Sequence, residues 1–214
     1  MGLLGDILKR TEQIIKSETN SLVNKIENKA AGTAAKEVND TIKNYHLTTR
    51  TFTYDSLPVT LDELKAVQKN PKDYFETAAL AVLALNVYAD FPEECEAMID
   101  YLNGPDSVAV RDMQLIRTQF MEGGRYTVRS YFKGATPENN YTASLPLTIT
   151  VHDNPYSYDN SKEGYVSLYI PSGGADNDRK VTLRTKPSTG EWFIYSWQGL
   201  LMGIRTAKEA DPWA

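Results

Sequence analysis

Between Tyr126 and Tyr195 the chain alternates apolar and polar residues in short runs: TVRSYF, LTITV, YVSLYI, KVTLRT and EWFIY. Alternation at period two sends successive side chains to opposite faces, so each run predicts a strand with one buried and one wet face. Loops rich in Gly, Asn, Asp and Pro separate the runs, as in an antiparallel meander. Tyr126, Val128, Ser130 and Phe132 share one side of the first predicted strand. Leu147, Ile149 and Val151 share one side of the next, followed by Val166, Leu168 and Ile170, then Val181 and Leu183. These positions are expected to face the core. The opposite side carries Arg129, Tyr131, Thr148, Thr150, His152, Ser167, Tyr169, Thr182 and Arg184.

Upstream, from residue 47 to 120, the spacing turns helical. HLTTRTFTYDSLP reads as a short strand and a turn, ended by Pro58. Thr60 and Glu63 form a capping-box pattern ahead of LDELKAVQ. Pro71 is expected to begin a helix over PKDYFETAALAVLALNVYAD, whose apolar residues cover most of the circumference and so demand a central place. Pro92 opens PEECEAMIDYLNG and Gly104 closes it. A last helix covers SVAVRDMQLIRTQFM. A sheet with one apolar face needs helices to cover it. The expectation is one α+β domain over residues 47–214, with helices at 60–120 and a C-terminal antiparallel meander sheet at 125–205, of about four to six strands.

Residues 1–46 show a narrower stripe at helical spacing: Leu4, Leu8, Thr11, Ile15, Leu22 and Ile26. It resumes weakly after AAGTAA with Val38, Ile42 and Tyr45. The pattern predicts an amphipathic helical arm whose contact residues are Leu4, Leu8, Ile15, Leu22 and Ile26. Such an arm has three destinations: its own domain, another copy or partner helix, or a membrane surface. Lys9, Arg10 and Lys16 bring residues 1–16 nearest to the membrane pattern, but Glu18, Glu27 and Glu37 dilute it. Protein–protein contact is the preferred reading.

The chain has 214 residues, 41% of them hydrophobic, which suffices for one sizeable core with an appendage. A net charge of -5 argues against a general nucleic-acid binder, which needs a concentrated basic surface. Cys95 is the only cysteine, so no intramolecular disulfide can form. Its neighbours Glu93, Glu94 and Glu96 oppose a reactive thiolate. Asp6, Lys9 and Arg10 interrupt any signal-peptide core, and AALAVLALNVY is too short to span a bilayer. A cytoplasmic location is expected.

Candidate chemistry is sparse. Two histidines, His46 and His152, cannot build a histidine-rich zinc centre. Asp153, Asn154, Asp159 and Asn160 lack the order of an EF-hand loop, and Asx turns explain them. IPSGGADNDRK lacks the Walker pattern and reads as a β connection. There is no GxSxG elbow and no HExxH pair. Neither metal nor cofactor is expected. A small-ligand site, if the polar sheet face forms one, would use Arg129, Tyr131, His152, Tyr169 and Arg184, groups suited to an anionic or hydroxyl-rich ligand. An ordinary solvent-facing sheet is the simpler reading of the same residues.

RSYFKGATPENNYT, TVHDNPYSY, GYVSLYIPSGGADNDRKVTLR and the terminal KEADPWA together resemble an uncharacterised family of bacterial proteins, chiefly from Firmicutes and gut bacteria. The resemblance spans roughly residues 57–214. It implies a bacterial, intracellular protein and supplies no catalytic residue. The functional expectation is a non-enzymatic binding or structural module with a helical arm for protein contact. One alternative is a hydrolase-like or other small-molecule enzyme, with His152 as general base and Arg129 or Arg184 holding an anion. The other is a peripheral membrane-surface protein.

Overall fold

A computed structural model of the chain describes residues 47–121 and 124–213; the predicted arm with its stripe from Leu4 to Ile26 lies outside the described residues. The chain enters strand β1 (Thr49–Tyr54) and then runs through five helices: α1 (Leu61–Val67), α2 (Tyr74–Val87), α3 (Pro92–Asn103), α4 (Val110–Met121) and α5 (Arg125–Arg129). Strands β2 (Leu147–His152), β3 (Tyr165–Ile170), β4 (Arg179–Lys186) and β5 (Glu191–Ser196) follow. The five strands form one antiparallel sheet in the order β1-β2-β3-β4-β5. The fold is α+β, with helices over one face of a five-strand antiparallel meander.

The first strand is not where the alternation placed it. TVRSYF begins inside α5 and continues as a turn, while the upstream TRTFTY supplies the sheet's fifth strand. Val128, Ser130 and Phe132 are buried as expected, but so is Tyr131 from the face assigned to solvent, and Thr127 is buried as well. A short segment buried on both sides has no use for period two, and the run's alternation was coincidental. The Lys133 N–H donates to the Thr148 carbonyl (2.8 Å), which pins the segment after α5 beside β2.

Helix α2 occupies the centre. Every residue from Phe75 to Val87 is buried, and the helix touches all five strands. Such burial follows from its all-round apolar surface. It begins at Tyr74 and not at Pro71, because the Asp73 carboxylate accepts the N–H groups of Phe75 (3.0 Å) and Glu76 (3.3 Å) and so caps it. Asn86 is the polar exception near the far end, and its amide donates to the carbonyls of Val82 (2.8 Å) and Val128 (3.0 Å). Helix α3 opens on Pro92 and closes on Gly104, whose φ of 74° suits glycine.

The core-facing rows of β2, β3 and β4 stand as their alternation predicts: Leu147, Ile149, Val151, Val166, Leu168, Ile170, Val181 and Leu183 are all buried. The sheet is not a uniform ribbon. β1 and β2 pair over six residues, as do β3 and β4, but β2 and β3 share only the pair His152↔Tyr169. The β1–β2 pair is therefore offset along the strand direction from β3–β4–β5, and the two meet at a corner where His152 faces Tyr169. Near the C-terminus Trp213 is almost wholly exposed and does not dock onto the domain.

Candidate functional site

The five residues singled out on the polar face do not converge. His152 and Tyr169 do meet, as cross-strand partners with rings stacked at 5.9 Å. Arg184 pairs with Tyr165 and lies four residues away along β3 and β4, about 13 Å on. It leans over the Tyr165 ring and forms an exposed ion pair with Asp106 (3.4 Å). Arg129 sits exposed at the end of α5. Tyr131 is buried, and its hydroxyl donates to the Leu200 carbonyl (2.7 Å). Its burial holds the phenol well above its ordinary pKa.

His152 itself is fully engaged. Nε2 lies 2.6 Å from an Asp178 carboxylate oxygen, and Nδ1 lies 2.9 Å from the Asp153 carbonyl. Both partners are acceptors, so each ring nitrogen faces a group within the fold. The neighbouring Asx-rich residues are also accounted for internally. Asp153 accepts from the Thr48 N–H (2.8 Å) and the Tyr158 hydroxyl (2.8 Å), and Asn154 accepts from the Tyr156 N–H (2.9 Å). Among the described residues no group of three or more His, Cys, Asp or Glu side chains could hold a metal ion. The GATPENNY loop is stitched in the same way: the Asn139 amide donates to the Gly134 carbonyl (2.8 Å) and accepts the Thr136 N–H (2.9 Å).

An open feature stands at the other edge of the molecule's polar chemistry, along β1. This strand pairs only with β2, and its residues Thr49, Arg50, Thr51 and Thr53 are exposed. The ladder's phase is set just before it, where the Asp153 N–H donates to the Thr48 carbonyl (3.1 Å). Antiparallel pairs alternate between bonded and non-bonded types. Arg50, Phe52 and Tyr54 therefore bond inward to β2, while Thr49, Thr51 and Thr53 turn their N–H and C=O groups outward. Six residues of β-prone sequence without proline or bulge thus present an unpaired edge among the described residues. The opposite edge, β5, is treated differently: the Trp192 N–H donates to the Pro71 carbonyl (2.9 Å), and its pairing with β4 shifts register between Thr182 and Leu183.

A groove of about 870 Å³ lies between β1 and the α1–α2 connection. Tyr54 and Glu76 form its interior. Tyr54 is only 8% exposed, and its hydroxyl is the one buried side-chain polar atom among the described residues with no hydrogen-bond partner. Burial, and then the Glu76 and Asp73 carboxylates, push this phenol far above its ordinary pKa. Glu76 is 4% exposed, and its two oxygens accept the backbone N–H groups of Lys69 (2.9 Å) and Asn70 (2.7 Å). Among the described residues no lysine or arginine pairs with it. Asp73, by contrast, is ion-paired to Arg50, whose guanidinium lies over the rings of Phe52 (5.0 Å) and Phe75 (5.6 Å). A second groove, of about 750 Å³ between α3 and α4, is lined by Phe91, Val110 and Met113 with Glu93 and Glu96, and holds no unpartnered buried polar atom.

The model of the family described as Domain of unknown function (DUF6935) matches residues 56–208. The chain belongs to that family. The match takes in α1 to β5, including Asp73 and Glu76, and begins just after β1. No curated protein and no solved structure matches the chain. The edge strand was legible as the alternating run TRTFTY, but its place at the border of the sheet was not. Glu76 gave no signal, because its burial depends on a connection that folds back over it.

Proposed function

We propose that this protein is a non-enzymatic binding module that captures an extended segment of another protein along β1. The observation that carries the reading is the outward row of Thr49, Thr51 and Thr53 backbone groups beside the groove. An incoming strand would complete those hydrogen bonds, and its alternate side chains would enter the groove. Main-chain pairing supplies affinity in this mode, and the groove supplies selectivity. The amphipathic arm adds a second contact, with a partner or another copy, on the strength of its Leu4 to Ile26 stripe. The lone cysteine and the resemblance to bacterial proteins support a bacterial, cytoplasmic setting.

Proline at position 51 tests the edge. The Thr51 N–H points away from β2, so Thr51→Pro removes an outward donor and spares the ladder, whereas Phe52→Pro breaks an inward bond. Peptides selected from a displayed library of β-prone octamers should protect the Thr49, Thr51 and Thr53 amides from hydrogen exchange. Thr51→Pro should keep the native melting temperature within a few degrees and abolish this binding. Selected peptides that protect only other elements would sink the reading. For the arm, Leu8→Glu with Ile15→Glu in the full chain should lower the mass seen by light scattering if copies associate through it.

The competing reading is an enzyme on the polar face, and the His152–Asp178 pair is the observation that favours it. Any turnover that survives His152→Gln unchanged would remove that mechanism.

A further inference from the structure

We infer that the groove beside β1 is a receptor for a cationic side chain, lysine or arginine, carried by the extended segment that pairs with the strand, and that Tyr54 and Glu76 are its ligands. This rests on the edge-pairing reading above and names the partner's chemistry.

Three observations converge on a cation. The first is Glu76, a buried carboxylate whose charge is balanced by two amides and by no cation among the described residues. Each oxygen accepts one hydrogen bond and has capacity for another. Desolvated charge without a counterion is costly, and a partner cation placed there recovers strong charge-assisted bonds. The second is the Tyr54 hydroxyl, nine-tenths buried in the groove and unpartnered. It offers a lone pair to an ammonium or guanidinium. The third is the sign of the surrounding field. Asp55, Asp73 and Glu76 line the groove, and the cations there are Arg50, already paired to Asp73, and Lys69. A carboxylate or phosphate would meet like charge, and an apolar side chain would leave both Tyr54 and Glu76 as they are.

The strand register says how such a side chain arrives. Arg50, Phe52 and Tyr54 share a face with Val151, Ile149 and Leu147 and point toward the helices. An incoming residue opposite Phe52 or Tyr54 sends its side chain to that same face. A long aliphatic stem would lie along the Phe52 ring while its charged head reaches the Tyr54–Glu76 end.

The test uses the full chain and fluorescein-labelled octapeptides of alternating threonine and valine with one central residue: lysine, arginine, norleucine or glutamate. Binding is read by anisotropy for the native protein and for Tyr54→Phe, Glu76→Gln and Thr51→Pro. The lysine and arginine peptides should bind about tenfold more tightly than the norleucine peptide, and the glutamate peptide more weakly still. Tyr54→Phe and Glu76→Gln should each erase the cation preference, so that the lysine, arginine and norleucine peptides bind the variant alike. Tyr54→Phe removes an unpartnered hydroxyl, so its melting temperature should equal or exceed the native value, which keeps the test independent of folding. Thr51→Pro should abolish binding of all four. Peptides that bind through the edge with equal affinity whatever the central residue overturn the cation receptor and leave the edge reading standing. A cation preference that survives both Tyr54→Phe and Glu76→Gln also overturns it. Failure of all four peptides to bind the native protein overturns both.

Discussion

At the scale of single residues, the buried polar groups decide which parts of the chain are fastened and which are open. Asn86, Tyr131 and Asp153 each spend their hydrogen bonds within the fold, and each ties segments distant in sequence. Asn86 is the clearest, because its amide joins α2 to the carbonyl of Val128, a buried residue in the last turn of α5. Asn86→Ala should cost about 2 kcal/mol, since it strands a buried carbonyl as well as removing a bond. Urea unfolding followed by circular dichroism measures this, and a loss below about 0.5 kcal/mol would show that the Val128 carbonyl finds another partner. Tyr54 is the counter-example, a buried hydroxyl left without one.

At the scale of elements, close approach of backbone to side chain explains why one glycine is needed. Gly104 ends α3 at a φ of 74°, and a Cβ there would lie 2.4 Å from the Phe193 ring on β5. Gly104→Ala therefore meets both left-handed strain and a clash, and should cost about 2–3 kcal/mol. Phe193→Ala removes the obstacle but not the strain. The double variant should consequently be less destabilised than the sum of the two single ones, a coupling that denaturant titrations resolve. Strict additivity would mean that the helix end shifts without pressing on the strand. The helices themselves were legible where a period and a cap agreed, as with Pro92 and Gly104 around α3. TVRSYF misled because five helical residues and a turn are too short for 3.6-residue spacing to outweigh a chance alternation.

At the scale of the whole molecule, burial of ionisable groups sets the response to alkali. Burial, with Glu96 adding to it, pushes the Cys95 thiol from 9.0 up to about 12, and burial pushes the Tyr141 phenol from 10.0 up to about 12. Burial likewise raises Tyr54, Tyr131 and Tyr158. In each case the folded state holds its proton more tightly than the unfolded chain. That contribution to stability is fully present below the ordinary pKa and is lost as the pH rises through the folded value. The urea midpoint should thus stay flat up to about pH 9 and fall steeply between there and pH 12. Tyrosinate absorbance should rise together with unfolding for these side chains. A midpoint unchanged at pH 11 would show that they ionise without leaving the core. Cys95 should also resist alkylation at pH 8 until denaturant is added.

The fold class, the central helix and the inward rows of β2, β3 and β4 follow from the amino-acid sequence itself. Their signals are local: a period, a cap or a breaker within a few residues of the element it defines. The edge of the sheet, the corner at His152↔Tyr169 and the groove beneath β1 were decided only by the tertiary structure. Strand order is a property of pairings between segments about a hundred residues apart, as Thr51 and Thr150 are. Whether a hydroxyl such as that of Tyr54 finds a partner depends on every segment that packs around it. The separation of Arg129, Tyr131 and Arg184 from the His152–Tyr169 pair has the same cause. Alternation tells which way a side chain points from its strand, but pairing and register alone determine what it meets there.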